Sequence, residues 1–300
     1  MSSPDNPQFD PLQPGSSEPQ STVPERGDPF ASTSLLAPSV PAQPHGPPAV
    51  ENPVWNAWDV LLIAALTFVL VSLLQFASAK AAQWLWYPRL SFYDVAQKIE
   101  QQRPILLIIL QFLIYIPVAL LMIALVEGKY HVPFWRSIRW NWPRAIWKFV
   151  GLGAVLLIGL ATLESLLPMP KDTPFEHLFD RPLDAYLLAL IAITLAPLME
   201  ELFFRGFLYP VLARPMGPMW GIMLSALPFA LLHLPQYGYA LTAGLVIFIV
   251  GVVCGIVRAA TKSVGASFLV HVGYNGTQML IAVVATHGFR HMEKAIVLVQ

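Results

Sequence analysis

Seven stretches of this 300-residue chain, at about 58–79, 104–126, 147–167, 184–206, 217–234, 240–257 and 264–286, are apolar along nearly their whole length. A membrane-spanning helix needs roughly 20 mainly apolar residues, and a backbone in hydrocarbon must satisfy its own N–H and C=O groups. Runs of this kind are therefore expected as helices, and the fold as an all-α, polytopic transmembrane helical bundle of six to eight spans. Composition agrees, with 56% hydrophobic and only 12% charged residues, a balance typical of membrane proteins. The formal net charge is zero, so there is no electrostatic footprint for nucleic acid. The expected surroundings are the lipid bilayer.

Residues 1–53 are a different material. They hold 13 of the 28 prolines, six acidic residues and a single basic one, Arg26. Such a segment buries too little apolar surface to offset its ordering entropy and is expected to be a disordered tail. It lacks the basic start and apolar core of a secretory signal. The first run is thus expected as an uncleaved span with Trp55 and Trp58 at its interface. The remaining layout is N-terminal helices and loops over 54–179, a compact helical core over 180–286 and a short tail over 287–300. Basic residues in the 127–148 loop, with Arg214, Arg258 and Lys262, fall on the side of the N-terminus if there are seven spans. The positive-inside rule then places that side in the cytoplasm. The single cysteine, Cys254, excludes an intrachain disulfide and is expected as a small buried hydrophobe.

The run ending in "APLMEELFFRGFLYP" carries three ionisable groups, Glu200, Glu201 and Arg205. Each costs about 2.5–3.5 kcal/mol at a helix centre, so about 8–10 kcal/mol together if left facing lipid. Glu201 and Arg205 stand at i and i+4 and can pair on one face, whereas Glu200 points about 100° away. Glu200 has no partner on its own helix. Two later spans each bring a polar pair at one-turn spacing: Phe229 and His233 in "PFALLHLPQ", His271 and Asn275 in "FLVHVGYNG". Three neighbouring spans with such groups point to one shared site inside the bundle. Pro197 and Pro228, just ahead of Glu200 and His233, are expected to kink their helices and open room there.

A carboxylate and an imidazole in a low-dielectric setting can activate water, and an imidazole with a carboxamide can donate hydrogen bonds to an oxyanion. Those are parts of an acyl hydrolase without a serine or cysteine nucleophile. Glu200, His233 and His271 can equally be read as two nitrogens and one oxygen around zinc, although the metalloprotease pattern of two histidines at i and i+4 is absent. Residue spacing does not choose between the two. A proton relay in a carrier would use the same groups.

The three sets, "EELFFR" (Glu200, Glu201, Arg205), "FALLH" (Phe229, His233) and "HVGYN" (His271, Asn275), in this order on successive spans, resemble the CPBP intramembrane protease family. That family includes the Ras-converting CAAX prenyl endopeptidases and the Abi-type bacteriocin-immunity proteins. Its pattern EExxxR, FxxxH and HxxxN is met at every one of these positions. The resemblance implies an intramembrane endopeptidase acting on a peptide or protein substrate in or at the membrane. It implies that Glu200 and His233 activate water, that His271 and Asn275 stabilise the oxyanion, and that Glu201, Arg205 and Phe229 lend structural support. No cofactor is implied, with zinc on Glu200, His233 and His271 as the alternative. A non-enzymatic immunity or partner-binding role is the alternative to catalysis. The expected location is a prokaryotic plasma membrane.

Overall fold

The computed structural model describes residues 51–290 apart from 103, 171, 172, 174–178 and 180. The expected tail over 1–50 and the chain end beyond 290 lie outside the described residues. Among the described residues the regular structure is entirely helical: α1 (Ala57–Leu85), α2 (Phe92–Gln102), α3 (Pro104–Ile123), a short α4 (Phe134–Ser137), α5 (Ile146–Glu164), α6 (Pro182–Ile193), α7 (Leu195–Glu201), α8 (Tyr209–His233), α9 (Leu241–Thr261) and α10 (Val264–Ala285). Two π-helical segments, Ala124–Lys129 and Leu202–Leu208, continue α3 and α7. Among the described residues, five helical units are long and apolar enough to cross a membrane, and one of them runs from Pro182 to Tyr237. That unit holds two of the apolar runs. It folds back at Gly217, whose φ of 80° lies in the left-handed region open to glycine, and a Cβ on Gly221 would meet the Ala213 backbone. The chain is an integral membrane protein built as a helical bundle.

The two prolines behave differently. Pro197 has no N–H for the carbonyl one turn back, and α6 ends at Ile193 with Thr194 at φ −114°, ψ −77° before α7 begins. At Pro228 no kink appears: α8 is helical from Pro218 through to His233, its one non-helical residue being Gly217. The neighbouring turns supply enough backbone hydrogen bonds to carry the helix past the proline.

Helix α10 is the centre of the site-bearing half. It packs along α5 where glycines remove the side chain between backbones: a Cβ on Gly153 would fall 2.1 Å from the Val270 carbonyl oxygen, and one on Gly273 would fall 2.2 Å from that of Val150. Asn141, just ahead of α5, meets Gly265 early in α10, and Val150 meets Gly273 two turns further on, so the two helices run parallel. Helices α8 and α9 form an antiparallel hairpin, with Gly251 against Ala226 and Phe229 and Gly255 against Ile222. Leu157, Val250, Cys254 and Val270 close one core cluster between α5, α9 and α10.

At one end of the bundle the loop after α4 docks on the α9–α10 junction. The Val264 N–H donates to the Arg139 carbonyl at 3.1 Å, the Asn141 amide to the Lys262 carbonyl at 3.2 Å, and the Ser263 hydroxyl to the Asn141 carbonyl at 2.6 Å. Arg139, Arg258 and Lys262 are thereby gathered at one end. The start of the described chain joins them. Glu51, Pro53 and Trp55 are buried while Asn52, Val54 and Asn56 are exposed, so the assignment of 51–53 to a disordered tail does not hold. Trp55, expected at the lipid interface, is 1% exposed and faces inward, whereas Trp58 is 79% exposed. Burial alternates from Glu51 to Asn56 and turns the Trp55 ring inward, whereas Trp58 stands on the exposed side of the first turn of α1.

Candidate active site

Glu201 and Arg205 are completely buried and paired, with 2.9 Å between Arg205 Nη1 and Glu201 Oε1. Arg205 also donates from Nη2 to the Gly251 carbonyl on α9 at 3.0 Å, and its guanidinium lies 4.6 Å over the Phe229 ring. Glu201 does more than pair. It accepts a hydrogen bond from the Ser267 hydroxyl, which binds nowhere in the resemblance, and its Oε1 lies 3.0 Å from His271 Nδ1. A carboxylate held by an arginine accepts, so Nδ1 of His271 carries its hydrogen and Nε2 of the neutral ring presents a lone pair.

His233 is fixed in the same way. Its Nδ1 lies 2.7 Å from the Phe229 carbonyl oxygen one turn earlier. A carbonyl only accepts, so Nδ1 donates and Nε2 is left facing outward from that bond. Both Nε2 atoms turn towards Glu200: His233 Nε2 is 3.8 Å from Oε1 and His271 Nε2 is 3.6 Å from Oε2. These separations exceed a direct hydrogen bond. Glu200 is 20% exposed, in contrast to its buried neighbour. The Phe229 ring is the hub, 4.7 Å from the His233 ring and edge-on to the His271 ring at 5.8 Å.

Asn275, one turn beyond His271 on α10, donates from Nδ2 to the Ala192 carbonyl at 2.7 Å. That carbonyl belongs to the last turn of α6, next to the break at Thr194. The amide keeps a second hydrogen on Nδ2.

Among the described residues, the three potential ligand atoms that lie within 4.8 Å of one another come from Glu201, Cys254 and His271. The Arg205 cation beside Glu201 makes that set unsuited to a metal. The two histidines that face Glu200 each hold an oxygen acceptor at the other ring nitrogen, as ligating histidines usually do.

Fold and cluster together define a polytopic helical membrane protein with one carboxylate and two oriented imidazoles drawn together inside its bundle. Residues 182–277 match the family model of the type II CAAX prenyl endopeptidases, Rce1-like. An uncharacterized 24.3 kDa protein of Escherichia coli is 32% identical over 126 residues, 41% of this chain and 57% of the relative. The chain thus spans less than two thirds of the length of the curated relative it matches. No solved structure matches it.

Ser267 and the Glu201–His271 contact were not visible in the sequence. A serine has no periodic signature, and a bond between α7 and α10 depends on how two distant helices pack.

Proposed function

We propose that the protein is an intramembrane endopeptidase that hydrolyses a peptide bond of a membrane-associated substrate with water activated by Glu200 and His233. The observation that carries the proposal is the convergence on Glu200 of two imidazole nitrogens, each turned there by a fixed bond on the other side of its ring. A gap of 3.6–3.8 Å suits one water between carboxylate and imidazole better than direct contact. Glu200 takes a proton from that water while His233 Nε2 accepts its other hydrogen in a bond that aims the oxygen. The oxygen attacks the substrate carbonyl carbon, negative charge develops on the carbonyl oxygen, and the proton on Glu200 passes to the leaving amine as the C–N bond breaks. Oxyanion donors would be the free hydrogen of Asn275 Nδ2 and, when the ring holds both protons, His271 Nε2.

The donor set supports a second reading in which zinc is held by Glu200, His233 and His271 and supplies Lewis-acid chemistry. The test is cleavage of a fluorogenic peptide anchored in proteoliposomes. Glu200→Gln should abolish it, and purified active protein should be free of stoichiometric metal and unaffected by a chelator. Full activity of Glu200→Gln rejects the mechanism, and one tightly held zinc with chelator inhibition selects the second reading. An immunity or partner-binding role predicts function that survives Glu200→Gln without cleavage, and a carrier predicts transport in proteoliposomes without cleavage.

A further inference from the structure

We propose that the extended segment Glu51–Asn56 is a latch: the chain seats its own carboxylate in an internal anion receptor and thereby holds the π-helical register of Leu202–Leu208. Glu51 is 2% exposed and Arg258, at the end of α9, is 1% exposed. Arg258 Nη1 donates to Glu51 Oε1 at 3.1 Å, and Arg139 Nη2 stands 3.5 Å from Glu51 Oε2. Two arginines from separate elements thus converge on one carboxylate from the start of the described chain. Two residues on, the Pro53 carbonyl accepts from Arg214 Nη1 at 3.5 Å. After two more, the Trp55 indole N–H donates to the Phe207 carbonyl at 2.9 Å, and its ring stacks on the Phe207 ring with centroids 5.0 Å apart. The three inward residues all grip the bundle.

The grip falls on one short stretch. Phe207 belongs to the π segment; Ile138, beside Arg139, would meet a Cβ on Gly206 at 3.3 Å; and the Arg258 guanidinium lies over the Tyr209 ring that ends it. A π-helix is rarer and weaker than an α-helix and needs outside contacts to persist. Relaxing it to α would take the extra residue out of the turn and rotate the helix ahead of it, with Glu200 and Glu201, by about 100° relative to the helix that follows. Latch, Arg139 loop and π segment therefore form a closed ring around the part of the helix that orients the carboxylates. This inference is independent of the reaction proposed for Glu200.

Hydrogen exchange on the full chain in lipid nanodiscs tests it. Glu51→Gln and Trp55→Phe should each speed exchange of the 202–208 amides about tenfold. Exchange across α5 (146–164), which the segment does not touch, should be unchanged, and the outward-facing controls Asn52→Ala and Val54→Ala should do nothing. Unchanged exchange at 202–208 in Trp55→Phe, with 51–56 exchanging faster, overturns the latch. A uniform rise in every helix also overturns it, because the segment would then stabilise the bundle without setting the π register. Should Glu51→Gln fail to fold, Trp55→Phe decides alone.

Discussion

Glu200 and Glu201 are neighbours in sequence with opposite surroundings, and the difference predicts opposite variants. Glu201 is sealed with Arg205, Ser267 and His271. Glu201→Gln leaves a buried guanidinium unpaired and should cost about 3–5 kcal/mol, seen as a large fall in melting temperature together with lost activity. Glu200→Gln should leave the melting temperature within a few degrees while lowering turnover by a factor of about a hundred or more, the usual worth of a general base. Thermal unfolding and peptide cleavage measured on both variants check this pair. The i,i+4 relation of Glu201 and Arg205 was legible in the sequence because both partners ride on one helix. The second and third partners of Glu201, Ser267 and His271, were not, since they arrive from α10 by packing alone. Trp55 shows the converse failure: next to an apolar run a tryptophan reads as an interfacial anchor, and only the extended backbone around it turns the ring inward.

At the scale of elements, helix contacts without side chains between them set the tolerance. Gly153→Ala or Gly273→Ala would force α5 and α10 apart and should destabilise by about 1–3 kcal/mol, as overpacking does. Gly151→Ala and Gly159→Ala, with nothing within 4 Å of a new Cβ, should be neutral or stabilise by up to about 1 kcal/mol. Unfolding of the four variants in the same lipid separates the cases. A second element pair is joined by charge: Lys129, past the end of α3, donates to Asp59 in the first turn of α1 at 2.6 Å, and the Tyr130 hydroxyl donates to the same carboxylate. The bond to Asp59 raises the Lys129 pKa above its ordinary 10.5. Its stabilisation is therefore complete below that value and is lost as pH rises through the raised one. Wild type and Asp59→Asn should differ in melting temperature at neutral pH and converge only in strong alkali. The apolar runs and their helical state were legible because lipid leaves the backbone few choices. The π segments were not, because no residue type encodes an extra residue in a turn.

For the whole molecule, the gathered basic end makes orientation testable. Arg139, Arg258 and Lys262 lie together, and by the positive-inside rule that end is expected to face the cytoplasm. In a Cys254→Ser background, Lys262→Cys should react with a membrane-impermeant maleimide only when the cytoplasmic face is accessible. Labelling from the opposite face reverses the orientation. The hairpin at Gly217 has a further consequence, for biogenesis. Glu200 and His233 lie on the single helical unit from Pro182 to Tyr237, so they can meet as soon as that unit has been inserted. His271 belongs to α10 and is translated 38 residues after His233. A nascent chain halted before α10 therefore already carries two of the cluster's three groups, with the Glu201 carboxylate and the Arg205 guanidinium paired but the second imidazole still in the ribosome. Completion of the site waits on the final span, which delays its chemistry until the bundle around it is assembled.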